Sequence, residues 1–306
     1  MDESKASPQR FCETVSTEEP CAGNGAILYC RSVRPLASSD TVVQLAIVHG
    51  YGDHSGRYVH FMQWMAQRGI SCHALDLRGQ GRAKGRRGFV RKWSDYLEDL
   101  KTLLNRVAAE ATGAQETFLL GHSHGGLIVA AAGLEPDQYL PGVRACILTS
   151  PFIRSRLSVP RWKQGVARVA NPIIPWMQFG TGLEEELMSS DPAMIQESRA
   201  DQYRGRVATP RWYLGMLKAQ QRVMSEADRF LLPLFVLAGG QDQIADVEGA
   251  KMFFERAGST DKRFQLYAAM RHELLREAQR ETVFRDILQW IAAHCESSGG
   301  DGSGKP

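Results

Sequence analysis

The sequence contains no apolar run of about 18 residues, so nothing in it reads as a membrane-spanning helix. It has little net charge: 37 basic residues against 34 acidic ones leave +3, which demands no nucleic-acid partner. The six cysteines, at 12, 21, 30, 72, 146 and 295, never fall in C-x-x-C spacing. That argues against a zinc site and against a disulfide framework. The expectation is reduced cytosolic thiols, with Cys72 and Cys146 inside core strands. Met1 to Arg10 is polar and lacks the apolar stretch of a secretory signal, and no internal repeat is present. These absences point to a cytoplasmic protein without metal or organic cofactor.

What is present is enough apolar material, 43% of 306 residues, for one large core with an insertion. Val42 to Val48, Ile70 to Leu75, Thr117 to Leu120, Val143 to Thr149 and Pro233 to Ala238 are short apolar runs, as expected of strands buried on both faces. Ala26 to Val33 alternates and suits an edge strand, and Phe264 to Tyr267 suits the last one. Between them lie helical patterns. In Trp93 to Ala109, for example, Tyr96, Leu97, Leu100, Leu103, Leu104 and Val107 fall on one stripe. Alternating strands and helices predict an α/β fold with a mostly parallel sheet covered on both faces. From about 152 to 230 the alternation stops. Pro160, Pro172, Pro175, Pro192 and Pro210 divide that stretch into helical pieces. An insertion after a strand's carboxyl end sits where open parallel sheets bind ligands, so it reads as a cap. The predicted organisation is a flexible tail 1–22, core 23–151, helical cap 152–230, core 231–295 and a second tail 296–306.

Gly121-His122-Ser123-His124-Gly125 fits G-x-S-x-G, and it stands after a strand and before a small-residue helix. That is the setting of a nucleophile elbow, whose turn is tight enough to require glycine on both sides of the serine. A serine needs a base, and the base needs an orienting acid. After the insertion only His272 and His294 remain, and His272 follows the last strand in a loop. Asp242 is the first carboxylate beyond Pro233 to Ala238, reached through Gly239-Gly240; Asp246 suits a helix N-cap better. The expected triad is therefore Ser123, Asp242 and His272. Backbone N–H groups of His124 and of Tyr51, in the glycine-rich loop after Val48, are the expected oxyanion donors. His49, His54, His122 and His124 read as structural histidines, since no Cys or carboxylate stands at ligand spacing.

Five motifs carry a family likeness: His49-Gly50-x-Gly52-Asp53-His54-Ser55-Gly56-Arg57-Tyr58, Asp76-Leu77-Arg78-Gly79-Gln80-Gly81, Gly121 to Gly126, Gly240-Gln241-Asp242, and His272-Glu273-Leu274-Leu275-x-Glu277. With them the chain, from about Gly25 to Ala293, resembles the monoacylglycerol lipase and lysophospholipase branch of the α/β-hydrolase fold. The resemblance implies the same triad and oxyanion donors, and a cap that an acyl chain passes under. Two departures stand out: Ala83, where serine is common, and His124, where methionine is more usual and where a polar ring could alter leaving-group preference.

Serine-dependent hydrolysis of a monoacylglycerol or lysophospholipid is the expected activity. A short-chain carboxylesterase, an amidase or peptidase of a sister branch, and a non-catalytic scaffold are the alternatives. A serine elbow disfavours epoxide and haloalkane hydrolysis, which use aspartate there. Trp176, Met177 and Phe179 are the candidate substrate contacts in the cap. Arg82, Lys84, Arg86, Arg87, Arg91 and Lys92 form a basic cluster suited to a peripheral, reversible contact with an anionic membrane surface.

Overall fold

The structure is a computed structural model that describes residues 13–36, 43–110 and 116–296. The chain builds β1 (Thr14–Gly23), β2 (Ala26–Pro35), β3 (Val43–Val48), α1 (Val59–Ala66), β4 (Ser71–Asp76), α2 (Asp95–Glu110), β5 (Glu116–His122), α3 (His124–Ala132), α4 (Pro136–Tyr139) and β6 (Val143–Thr149). Then come α5 (Arg161–Ile173), β7 (Phe179–Gly180), α6 (Pro192–Ala200), β8 (Val207–Ala208) and α7 (Pro210–Ser225). It closes with β9 (Leu234–Gly239), α8 (Val247–Arg256), β10 (Lys262–Tyr267) and α9 (Arg280–Glu296).

Eight strands form one sheet in the order β1-β2-β4-β3-β5-β6-β9-β10. All neighbours from β4 to β10 run parallel, while β2 is antiparallel to both β1 and β4. Alternate side chains of the central strands leave for opposite faces. Leu45 and Ile47 join the core under α1 and α9, whereas Ala46 and Val48 join the one under α2, α3, α7 and α8. Phe118 and Leu120 against Leu119, and Phe235 and Leu237 against Leu234 and Val236, repeat this division. Burial on both faces is why these strands appear as unbroken apolar runs rather than as alternation.

Three expectations are corrected. Thr14 to Gly23 is a strand, not part of a tail, and it moves β2 from the edge to the second place in the sheet. Its exposed, polar sequence hid it, but Asn24-Gly25 between the paired Gly23 and Ala26 is a strong two-residue hairpin signal. The cysteines are not all reduced: Cys21 and Cys30 form a disulfide across this hairpin, with Cα atoms 6.1 Å apart. Strand pairing brings them together, which C-x-x-C arithmetic does not see, and the argument from thiols to a reducing compartment falls with it. Cys72 and Cys146 are free and buried in β4 and β6, as expected, and Cys12 lies outside the described residues. At the other end α9 continues through Glu296, and 297–306 lie outside the described residues.

Candidate active site

The carboxyl ends of β3, β5, β9 and β10 place the site. Ser123 ends β5 and caps α3 with φ 53 and ψ −115, a backbone conformation that non-glycine residues rarely hold. The surrounding packing enforces it. A Cβ on Gly125 would stand 2.1 Å from the Val48 carbonyl oxygen, and one on Gly121 2.6 Å from that of Gly125. Side chains are thus excluded on both sides of Ser123.

His272 comes from the loop after β10. Its Nε2 lies 2.8 Å from Ser123 Oγ and its Nδ1 lies 2.7 Å from Asp242 Oδ2. The other carboxylate oxygen, Asp242 Oδ1, accepts the backbone N–H groups of Ile244 and Ala245 at 2.8 and 2.9 Å. All three side chains are buried. Burial would raise the Asp242 carboxyl, but the His272 ring and the two backbone donors hold it below the ordinary carboxylate range. Burial would likewise lower the His272 imidazole; the Asp242 carboxylate overcomes this and holds it above the usual 6.5. An ionised acceptor at Nδ1 means that Nδ1 carries the ring proton, so Nε2 is free to accept from the Ser123 hydroxyl. Asp246 accepts from Glu248 N and caps α8, as its sequence position suggested, while His294 bonds to Asp261.

The early glycine-rich loop lies directly against Ser123: a Cβ on Gly50 would stand 3.3 Å from the Ser123 Cβ. His49 anchors this loop, its Nδ1 donating to Gly50 O at 2.7 Å while its Nε2 accepts from Leu77 N at 2.9 Å. Both histidines flanking Ser123 are buried and neutral. His122 is pushed down to about 4 by burial and by the His272 ring, and His124 to about 3, chiefly by burial. No His, Cys, Asp or Glu group able to hold a metal ion occurs among the described residues.

Residues 40–279 match the family model described as Serine aminopeptidase, S33 (Hydrolase_4). The chain belongs to this family. The monoacylglycerol lipase of Mycolicibacterium smegmatis is 31% identical over 290 residues, 92% of this chain and 99% of that protein. Phospholipase YtpA of Bacillus subtilis is 27% identical over 245 residues, covering 80% and 93%. A soluble variant of the monoglyceride lipase of Saccharomyces cerevisiae, solved with a substrate analog, superposes with a TM-score of 0.79 at 21% identity, covering 90% and 94%. The chain thus has the α/β-hydrolase fold and stands on its monoacylglycerol lipase-like branch.

Sequence reasoning missed the ionic cluster that ties the hydrolase's loops together. Arg57 meets both Glu273 oxygens at 2.7 Å, and its Nε lies 2.7 Å from Asp53 Oδ1. Tyr58 donates to Asp53 Oδ2 at 2.9 Å. From the insertion, Arg204 lies 3.5 Å from Glu273 and 3.0 Å from Glu185, and Asp201 lies 2.7 Å from His54 Nε2. Although burial favours its neutral form, Arg57, first among the nearby cations, holds Asp53 well below the usual carboxylate range; Arg57 and Arg204 lower Glu273 against the same cost of burial. A buried charge set of this kind is satisfied in only one arrangement, so it fixes geometry more than it adds stability. Glu273 follows His272 directly, and the cluster therefore sets the His272 loop relative to the loop of Gly50 and the insertion. Arg57 and Glu273 stand inside the quoted motifs. Arg204 and Glu185 carried no sequence signal, because only the fold of the insertion brings them here.

The candidate substrate contacts lie toward solvent. Trp176 and Phe179 are exposed, Met177 is half-buried, and the Arg86 guanidinium sits 5.6 Å above the Trp176 ring.

Proposed function

We propose that Ser123 is the nucleophile, His272 the general base and acid, and Asp242 the orienting carboxylate in hydrolysis of single-chain lipid esters, monoacylglycerols or lysophospholipids. The observation that carries this reading is the continuous relay of 2.8 and 2.7 Å contacts at the tip of a strained elbow. The hydrolase family acts on carboxylic esters, and relatives named monoacylglycerol lipase and phospholipase support the lipid class. Ser123 Oγ attacks the ester carbonyl as its proton passes to His272 Nε2. The carbonyl oxygen becomes an oxyanion between the N–H groups of Tyr51 and His124. Collapse expels the alcohol, protonated by His272, and leaves an acyl-Ser123 ester. Water, deprotonated by His272, then releases the fatty acid.

In this reading 152–230 is the cap and the acyl chain passes beneath it. The contacts of Asp201 and Arg204 with the site's loops support that placement. Each methylene removed from water contributes about 0.8 kcal/mol, so an apolar passage selects for length. Release of fatty acid from 1-monoacylglycerol and from lysophosphatidylcholine, measured side by side with Ser123→Ala as blank, tests the function. The expected result is serine-dependent release from at least one of the two. Activity confined to short-chain esters or amides would replace the lipid reading with a carboxylesterase or amidase.

A peripheral contact with anionic membranes belongs to the same reading. Arg82, Lys84, Arg86, Arg87, Arg91 and Lys92 are all exposed, although Glu18 lies 3.5 Å from Arg82. Beside them α5 exposes Trp162, Val166, Val169 and Ile173 along one face, with Arg161, Lys163 and Arg168 exposed around it. Arg86 over Trp176, and Gln178 bonded to Arg87 O at 2.9 Å, join the two patches into one surface. No helix among the described residues is long and apolar enough to cross a membrane. Binding to phosphatidylserine-containing vesicles should weaken with salt, and Arg86→Gln should weaken it roughly fivefold, since a basic residue at such a surface contributes about 1 kcal/mol. Binding indifferent to both lipid charge and salt would remove this part of the proposal.

A further inference from the structure

The two residues read as oxyanion donors, Tyr51 in the loop after β3 and His124 at the start of α3, are far apart in the chain, yet their side chains meet in one aromatic box. Their rings make an edge contact at 5.8 Å. Trp212, near the start of α7 in the insertion, stacks on Tyr51 with centroids 3.6 Å apart and lies 5.7 Å from the His124 ring. Trp93 Nε1 donates to His124 Nε2 at 3.3 Å, and Tyr96 packs edge-on at 5.0 Å. An indole nitrogen only donates, so His124 Nε2 accepts and its proton resides on Nδ1; the ring has one tautomer and one orientation.

The same stretch of the insertion grips the Tyr51 loop in three further ways. Gly205 N donates to Gly52 O at 2.9 Å. The Tyr51 hydroxyl donates to Val207 O at 2.9 Å. Gly52 holds φ 70, and any Cβ there would stand 2.3 Å from Gly205 O, so the two backbones touch. Thr209 caps α7 by accepting Trp212 N at 3.3 Å and donates to Gly88 O at 2.8 Å, which fixes the Trp212 end of the segment to the core. Within this one segment, 205–212 supplies a backbone bond, a side-chain bond and a ring stack to residues 51 and 52. Nothing comparable is needed for packing alone, since an apolar side chain at 51 would fill the same space without the hydroxyl bond.

We infer that segment 205–212 is an oxyanion clamp, with Trp212 a positioning residue that holds the Tyr51 and His124 backbone N–H groups at the separation the transition state requires. The inference rests on the assignment of those two groups as oxyanion donors. Its consequence is that the insertion takes part in catalysis: where it is seated, the oxyanion hole is assembled, and lifting 205–212 off the core releases one of its two donors.

The test uses the full chain, a soluble medium-chain p-nitrophenyl ester, and an alkyl trifluoromethyl ketone. The ketone accepts Ser123 Oγ at its carbonyl carbon, its π pair becomes an oxyanion, and the serine proton goes to His272. Fluorophosphonate labelling of Ser123 in the unaltered protein comes first, so that failure of the nucleophile assignment is seen separately. Trp212→Ala should lower kcat by about ten- to a hundred-fold, because small displacements of an oxyanion donor carry losses of that order. KM should stay within about threefold, and affinity for the ketone should fall in parallel with kcat. Trp212→Phe, which can still stack, should recover most of both. If Trp212→Ala does not fold by thermal melt, Trp212→Leu, apolar but without the stack, takes its place. A raised KM with kcat intact would make Trp212 a substrate wall instead. A loss of kcat with ketone affinity unchanged would overturn the clamp as well.

Discussion

Replacing Ser123 by alanine should lower acyl release by about 10⁶-fold, the loss seen when the nucleophile of a serine–histidine–aspartate set is removed. The expected loss is this large because nothing near Ser123 can replace it. Both neighbours, His122 and His124, are buried, neutral imidazoles. His122 Nδ1 is engaged with Thr149, and His124 Nε2 with Trp93. Removing one hydroxyl leaves the elbow intact, since the strain at φ 53 is enforced by Gly121 and Gly125 rather than by Oγ. The variant should therefore fold, bind substrate and keep an ordered oxyanion loop. Initial-rate measurements on the same monoacylglycerol, with thermal melts alongside, check this. Serine-independent turnover would overturn the mechanism.

Asp242→Asn should lower kcat by about 10⁴-fold through the wrong tautomer rather than through lost structure. Asp242 uses its two oxygens differently: Oδ1 takes the N–H groups of Ile244 and Ala245, and Oδ2 faces His272 Nδ1. An asparagine has one oxygen, and the two backbone donors claim it. Its amide then donates to His272 Nδ1, which must accept, so the ring proton moves to Nε2 and points at Ser123. The nucleophile loses its base while every atom keeps its place. The pH profile separates this from unfolding. His272 must be neutral to act, so activity rises with pH through its pKa, and the acid limb of the unaltered protein should lie above 6.5. In the asparagine variant the carboxylate no longer opposes burial, so the residual activity should have its acid limb at lower pH. An unmoved limb would show that Asp242 does not set the His272 charge.

The meeting of Ser123, His272 and Asp242 was legible in the sequence for local reasons. A G-x-S-x-G turn between strand and helix admits few backbone paths, and the first carboxylate after one strand and the first histidine after the next are carried by a fixed strand order. The parallel core strands were equally legible, because burial on both faces writes itself as short apolar runs. β1 was not. Its residues are mostly exposed, and its place depends on pairing with β2, although Asn24-Gly25 announced the hairpin. The Cys21–Cys30 bond was hidden for the same reason, since strand register rather than sequence spacing brings the two sulfurs together.

Sequence alone determined the candidate chemistry, because Ser123, Asp242, His272 and the glycines that permit the elbow lie at positions ordered along the chain by the sheet. Tertiary structure decided what surrounds that chemistry. Arg57 meets Glu273 across 216 positions, Arg204 reaches the same carboxylate from the insertion, and Trp212 stacks on Tyr51. Contacts between such distant segments arise only when the sheet edge brings its loops together and the insertion settles on them. Side-chain type fixes what a group can do, but a charge pair or a ring stack exists only at a distance of a few ångströms, and that distance is a property of the fold.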